Sequence, residues 1–147
     1  MVIYLLAASL EQQFSKLKKM ITSKYISDIL ELLLDGDNDG ITAKGQLAFS
    51  SEDNFEYTDS GLFVRFSHSD GISKHKASKQ DLILNGIKIQ TTEYPIEADA
   101  TLFFKDGLIT YLEIWCYLGN YPKQDLTKYT LTQIWENSPN KTITTEN

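Results

Sequence analysis

The chain has 147 residues, which fits one domain large enough to bury a core without metal or disulfide help. Its formal net charge is −6 at pH 7, which disfavours nucleic acid and anionic membranes as partners because both favour an excess of Lys and Arg. Cys116 is the single cysteine, so no internal disulfide can form and a cytoplasmic location is expected. No apolar run approaches the roughly 20 residues that span a bilayer.

Residues 4–34 carry a helical pattern. Apolar residues recur at spacings of three and four: Leu6, Leu10, Phe14, Leu17 and Ile21, then Ile26, Ile29, Leu30 and Leu33. Thr22 or Ser23 could cap the second stretch, and Gly36 lies just past its last leucine, where helices commonly end. We therefore predict either two helices with a break near 22–24 or one bent helix.

The stretch DGDNDG at 35–40 begins like the calcium-binding loop of an EF-hand. Position 12 of such a loop needs a bidentate glutamate, whereas this chain has Gln46 there. The following GQLAFS at 45–50 has the pattern of a strand, not of a second helix. We therefore predict an acidic turn between helix and strand with its aspartates in water, and neither a metal nor a cofactor.

Strand patterns follow the acidic stretch. GLFVRFS at 61–67 alternates, and DLILNGIKIQ at 81–90 contains an Asn-Gly pair that fits a hairpin or a bulged strand. Residues 138–147 have almost no apolar content and are predicted to form a flexible tail. The pattern predicts one α+β domain over residues 1–137, with an N-terminal helical segment packed on one face of a mostly antiparallel sheet.

The strongest hairpin signal is EADATLFFKDGLITYLEIWCY at 97–117. A three-residue loop, 105–107, suits a type I turn with glycine in the left-handed position. This register gives one apolar face, and on the other face it pairs Phe103 with Ile109, Thr101 with Tyr111, Asp99 with Glu113, and Glu97 with Trp115. A two-residue loop would shift the pairing by one and mix the faces, so the patterning favours the three-residue loop.

The second face of this hairpin is the candidate site because it combines acidic and aromatic residues. Its members are Glu97, Asp99, Phe103, Tyr111, Glu113 and Trp115. Directly opposed carboxylates at Asp99 and Glu113 would destabilise the sheet without compensation. Three accounts stay open: Arg65, the only arginine, neutralises both; the aromatics anchor a protein partner with basic residues; or the carboxylates form a catalytic pair.

The remaining reactive side chains predict no chemistry. His68 and His75 lie in a polar stretch without a nucleophile motif, so we predict neither a catalytic triad nor a zinc site. Cys116 belongs to the apolar set of its strand, which favours a packed, inert thiol. The sequence contains no P-loop, GxGxxG or CxxC motif, and no catalytic residue is predicted.

Three segments in this order resemble a group of small bacterial single-domain proteins of largely uncharacterised function. They are ILELLLDGD (29–37) running on to GQL, FEYTDSGLFVRF (55–66), and ADATLFFKDGLITYLEIWCY (98–117) with a later YP. The positions that carry the resemblance are Thr58, Gly61, Phe63, Lys105, Asp106, Gly107, Leu112 and Glu113.

Small acidic proteins of this kind are also similar to the immunity proteins of bacterial toxin–immunity systems. That resemblance implies a cytoplasmic, non-enzymatic binding protein that neutralises a toxin, often a basic nuclease, by direct contact. Two other functions stay open: a small enzyme that uses Asp99 and Glu113, and a structural protein that forms homodimers.

Overall fold

The computed structural model describes residues 20–36 and 38–145, without the side chain of Asn38. Helices α1 (Lys24–Leu33) and α2 (Asn38–Ala43) precede strands β1 (Ser50–Thr58), β2 (Gly61–His68), β3 (Ile83–Gln90), β4 (Glu97–Lys105), β5 (Leu108–Leu118), β6 (Thr130–Gln133) and β7 (Thr142–Thr144), with short 3₁₀-helices at Lys44–Phe49 and Ile72–His75. The described strands form one sheet in the order β1-β2-β5-β4-β3-β6-β7, antiparallel throughout. The predicted α+β class with a mostly antiparallel sheet is confirmed.

Helix α1 packs against strands β3, β4 and β6 on one side of the sheet. The Ser23 side chain caps it by accepting a hydrogen bond from the Ile26 N–H at 3.1 Å. The helix buries Tyr25, Ile26, Ile29, Leu30, Leu32 and Leu33 in the same core as the inward-facing strand residues. Gln133 of β6 donates to the Leu32 carbonyl at 2.9 Å and joins helix to sheet. The predicted helical stretch over residues 4–19 lies outside the described residues.

The prediction of a strand at 45–50 is wrong, because Lys44–Phe49 form a 3₁₀-helix and β1 begins only at Ser50. Long-range hydrogen bonds override the local pattern. The fully buried Gln46 side chain donates to the carbonyls of His75 and Gly107, each at 2.8 Å, and accepts from the Ile109 N–H at 2.8 Å. The sequence of residues 45–50 alone does not indicate these hydrogen bonds, because their partners lie far away along the chain.

The acidic turn also differs from the prediction of aspartates in water. Asp35 forms an ion pair with Lys141, and this hydrogen bond lowers the pKa of the Asp35 carboxyl. Asp39 pairs with Lys79 at 3.2 Å and accepts from Ser78 at 2.6 Å. Residue 37 lies outside the described residues. The turn thus connects to two distant parts of the chain.

The segment expected to be a flexible tail adds a strand to the sheet. Thr142–Thr144 form β7 and pair with β6, and Ile143 packs against the core. The Lys141 N–H donates to the Gln133 side chain at 2.9 Å. Alternating threonine and isoleucine suits a strand even where apolar content is low.

The turn of the β4–β5 hairpin has two residues, so the predicted three-residue loop is wrong. Lys105 pairs with Leu108, and Asp106 and Gly107 adopt φ values of 54° and 78°, as a type I′ turn requires. A bulge follows at once, because Phe104 pairs with Ile109 but Phe103 pairs with Tyr111, which leaves Thr110 as the extra residue.

The bulge keeps the apolar face intact despite the shorter turn. A two-residue turn alone would have placed apolar and polar residues of β5 on the same side of the sheet. The extra residue of the bulge shifts the alternation of β5 by one position and so restores the separation of the two faces. Ile109 and Leu112, three positions apart, are therefore both buried. Beyond the bulge the pairing differs by two residues from the prediction, so Asp99 lies opposite Trp115 and Thr101 opposite Glu113.

Residues 81–90 were predicted to form either a hairpin or a bulged strand. Within this segment, Ile83–Gln90 form one strand, β3, with an irregularity between Asn85 and Ile87. Gly86 lies at that irregularity with a φ of 106°, a value that favours glycine. The bulged-strand alternative is confirmed, and the hairpin alternative is wrong.

Replacing Gln46 tests whether its side chain holds the bulge in place. Gln46→Ala removes three hydrogen bonds and the acceptor of the buried Ile109 N–H, so we expect the free energy of unfolding to fall by about 2–4 kcal/mol in urea denaturation. Gln90→Ala, at the exposed end of β3, is the control and should change it by less than about 0.5 kcal/mol. A loss below about 1 kcal/mol for Gln46→Ala would contradict this role.

Candidate binding face

The side of the sheet away from α1 presents three rows of neighbouring side chains. Alternate side chains of a strand point to opposite sides, so the residues that do not enter the core meet across the strands. The rows are Asn54–Arg65–Tyr111–Phe103–Ile83, then Glu56–Phe63–Glu113–Thr101–Asn85, then Thr58–Gly61–Trp115–Asp99–Lys88. We call these residues, with Glu97 and Tyr117, the outer face.

Aromatic side chains run across the middle of the outer face. Phe103 and Tyr111 stack with ring centroids 4.4 Å apart and an interplanar angle of 12°, and Phe63 lies 6.3 Å from Tyr111 in a tilted arrangement. Trp115 is 51% exposed and Ile83 is 55% exposed. The sequence therefore predicted correctly that Phe103, Tyr111 and Trp115 share a face.

The acidic residues of the outer face are spread out rather than directly opposed. Asp99 and Glu113 are diagonal neighbours, because Asp99 pairs with Trp115 and Glu113 pairs with Thr101 and Phe63. The predicted direct opposition of Asp99 and Glu113 is therefore wrong. The bulge relieves the repulsion by displacing one strand past the other.

Arg65 does not neutralise these two carboxylates. Its cross-strand neighbours are Asn54 and Tyr111, and the ion pairs among the described residues do not include Arg65. The neutralisation account is therefore wrong. Separation by strand register takes the place of a compensating cation.

Asp99 occupies a partly buried position between Trp115 and Lys88. Burial raises the pKa of the Asp99 carboxyl, since removal from water disfavours the charged form. Nearby, burial and the neighbouring carboxylate of Glu97 raise the pKa of the Tyr117 hydroxyl. Acidic and aromatic side chains are thus neighbours on this side of β4 and β5.

A shallow depression of about 350 Å³ lies on the β1 side of the outer face. It is lined by Asn54, Glu56, Phe63, Arg65 and Tyr111. Neither Asp99 nor Glu113 lines it. Asn54 and Glu56 were not among the predicted site residues because β1 was not predicted, although Phe55 and Tyr57 alternate as in a strand. A bulge at residue 53 interrupts that alternation.

The histidines and the cysteine have structural contacts. His68 Nε2 lies 2.5 Å from the Ile109 carbonyl, which can only accept, so this nitrogen carries the proton. His75 stacks on Phe49 with centroids 5.4 Å apart. Cys116 is buried, and its thiol donates to the Leu118 carbonyl at 3.1 Å.

Residues 20–36 and 38–145 contain no group of three His, Cys, Asp or Glu residues placed to hold a metal ion. Among the same residues, no helix has the length and apolar character needed to cross a bilayer.

Comparisons with known proteins identify no relative. No family model matches the chain, and neither a curated protein nor a solved structure matches it significantly. The geometry of the outer face is therefore the basis on which a function can be proposed.

Removing the charge of Asp99 tests its environment. Because its pKa is raised in the folded protein, ionisation destabilises the fold as pH rises from the unfolded value of about 3.9 through the folded pKa. We expect Asp99→Asn to be more stable than the wild type near neutral pH. This gain should vanish below about pH 3.9, as urea denaturation across pH would measure.

A direct reading of the same pKa comes from NMR titration of the Asp99 carboxyl carbon. A midpoint at or below the ordinary aspartate value of about 3.9, or an Asp99→Asn protein less stable than the wild type near neutral pH, would contradict the prediction.

Proposed function

We propose that the protein is a non-enzymatic binding protein whose outer face contacts a protein partner. Most concretely, we propose a cytoplasmic immunity protein that neutralises a toxin by direct contact. The observation that carries the proposal is the open outer face, on which Phe63, Ile83, Trp115 and Tyr117 are each more than a third exposed. Clustered exposed apolar residues with polar neighbours are typical of interaction surfaces.

The aromatic residues of this face suit the role of anchors. Binding energy concentrates in a few residues, and Trp, Tyr and Arg are enriched among them. Stacking of Phe103 on Tyr111 orders both rings before any partner arrives. Ordering in advance lowers the entropy cost of association.

Charge on the outer face favours a basic partner. The outer face carries more acidic than basic residues. The acidic ones are Glu56, Glu97, Asp99 and Glu113, and the basic ones are Arg65 and Lys88. A basic surface, such as that of a nuclease, would complement this pattern. A homodimer through the same face would bring acidic residues together, so the structural-protein alternative has less support.

The edges of the sheet are poorly suited to pairing with a partner strand. Strand β1 carries a bulge and the charged residues Glu52, Asp53 and Glu56, which are common devices against edge pairing. At the other edge β7 has only three residues. The face is therefore a better contact surface than either edge.

A catalytic pair of Asp99 and Glu113 has less support than binding. The two carboxylates are diagonal neighbours on an open face, and the depression there is lined by other residues. Acid–base catalysis needs groups that converge on one reacting centre. The raised pKa of Asp99 follows from burial alone.

Binding should depend on the aromatic anchors. We expect this protein to bind the product of the gene immediately upstream of its own, measured by calorimetry with purified proteins. Trp115→Ala and Tyr111→Ala should each weaken binding by more than about tenfold, because they remove central contact area. Ile41→Ala, an equally exposed apolar residue on α2, is the matched control and should leave affinity unchanged.

Two results would contradict this proposal. One is an upstream product without a toxin-like domain and without measurable binding. The other is binding that Ile41→Ala weakens as much as Trp115→Ala does. Light scattering of the purified protein separates the alternatives, since a dimer that Trp115→Ala dissociates would support the structural-protein account instead.

A further inference from the structure

The depression on the β1 side of the outer face contains two opposite charges that do not pair with each other. Glu56 and Arg65 both line it, and both are exposed. No ion pair within 4.0 Å joins them, although long side chains on neighbouring strands commonly meet. Each charge remains available to a ligand.

Strand register explains why the two charges stay apart. Arg65 pairs with Asn54 and Glu56 pairs with Phe63, so Arg65 and Glu56 are diagonal neighbours. Diagonal positions of an antiparallel pair lie about 7–8 Å apart at the backbone. The Asn54 amide and the Phe63 ring occupy the direct cross-strand positions beside the two charges.

The walls of the depression supply three kinds of contact. The planar guanidinium of Arg65 can donate two parallel hydrogen bonds to one carboxylate. The Glu56 carboxylate can accept from an ammonium group. The rings of Phe63 and Tyr111 offer apolar surface against which another ring can pack.

A ligand with both charges fits this arrangement better than a ligand with one. A lone anion on Arg65 would lie close to Glu56 and be repelled by it, and a lone cation on Glu56 would be repelled by Arg65. The volume of about 350 Å³ falls in the range of sites for small molecules. A charged group left without its counterpart lowers affinity.

We propose that the depression lined by Glu56, Arg65, Phe63 and Tyr111 binds a small zwitterion, namely a free α-amino acid with an aromatic side chain. The carboxylate of the ligand pairs with Arg65, its ammonium pairs with Glu56, and its ring packs on Phe63 and Tyr111. This site does not depend on the proposed protein partner.

Three probes that differ only in charge test the proposal. Phenylalanine carries both charges, phenethylamine carries only the ammonium, and 3-phenylpropanoate carries only the carboxylate. Each would be titrated into isotope-labelled protein while NMR follows the Tyr111 amide and the Arg65 side chain. We expect phenylalanine to bind with a Kd of about 1 mM, and each analogue to bind roughly tenfold more weakly.

Single variants assign the two charges. In Arg65→Gln, phenylalanine should bind no better than phenethylamine, because only the contact with Glu56 remains. In Glu56→Gln, phenylalanine should bind no better than 3-phenylpropanoate. Lys88→Gln and Glu97→Gln remove a cation and an anion from the outer face away from the depression, so they should leave phenylalanine affinity unchanged.

Three outcomes would overturn the proposal. They are the lack of a saturable shift with phenylalanine up to about 10 mM, an analogue with one charge that binds as tightly as phenylalanine, and an equal loss in the Lys88→Gln control. Urea denaturation of each variant establishes that it is folded, so that a loss of binding reports on the site.

Discussion

The arrangement of the sheet depends on the hydrogen bond that the Ile109 N–H donates to the Gln46 side chain. It is made where a two-residue turn and a one-residue bulge meet in the β4–β5 hairpin. His68 contacts the carbonyl of the same residue, so two side chains secure the irregular stretch. The bulge directs Ile109 and Leu112 inward, and the alternation that follows directs Tyr111, Glu113 and Trp115 outward.

The two sides of the sheet contribute unequally to the stability of the fold. Helix α1 and the inward-facing side chains form the core, which contains most of the fully buried residues. The outer face has no described helix against it and contributes partly exposed side chains. Because such residues contribute less burial to folding, the chain can place aromatic rings and unpaired charges there at little cost in stability. The register of the strands then determines which of these side chains are neighbours on the outer face.

Local signals were enough for some elements and insufficient for others. Periodicity and a capping serine identify α1, because both signals lie within the element itself. The hairpin register could not be predicted, since its bulge depends on Gln46, 63 positions away from Ile109 in sequence. The 3₁₀-helix was missed for the same reason, because Gln46 bonds to distant backbone. Strand β7 was missed because low apolar content was taken as the sign of a tail, although Thr142–Thr144 alternate as a strand does. Phe103, Tyr111 and Trp115 were nevertheless predicted on the correct face, because an error of two residues in the register leaves each side chain on the same side of the sheet.

Tyr111 belongs to both surfaces proposed for the outer face. It stacks on Phe103 in the aromatic row and also borders the depression that contains Arg65 and Glu56. A protein seated on the aromatic row therefore covers one wall of the depression. Two ligands that share a side chain are thermodynamically coupled, and each changes the affinity of the other by the same factor. The two proposals thus describe one surface, in which a small zwitterion and a basic protein would compete for the ring of Tyr111.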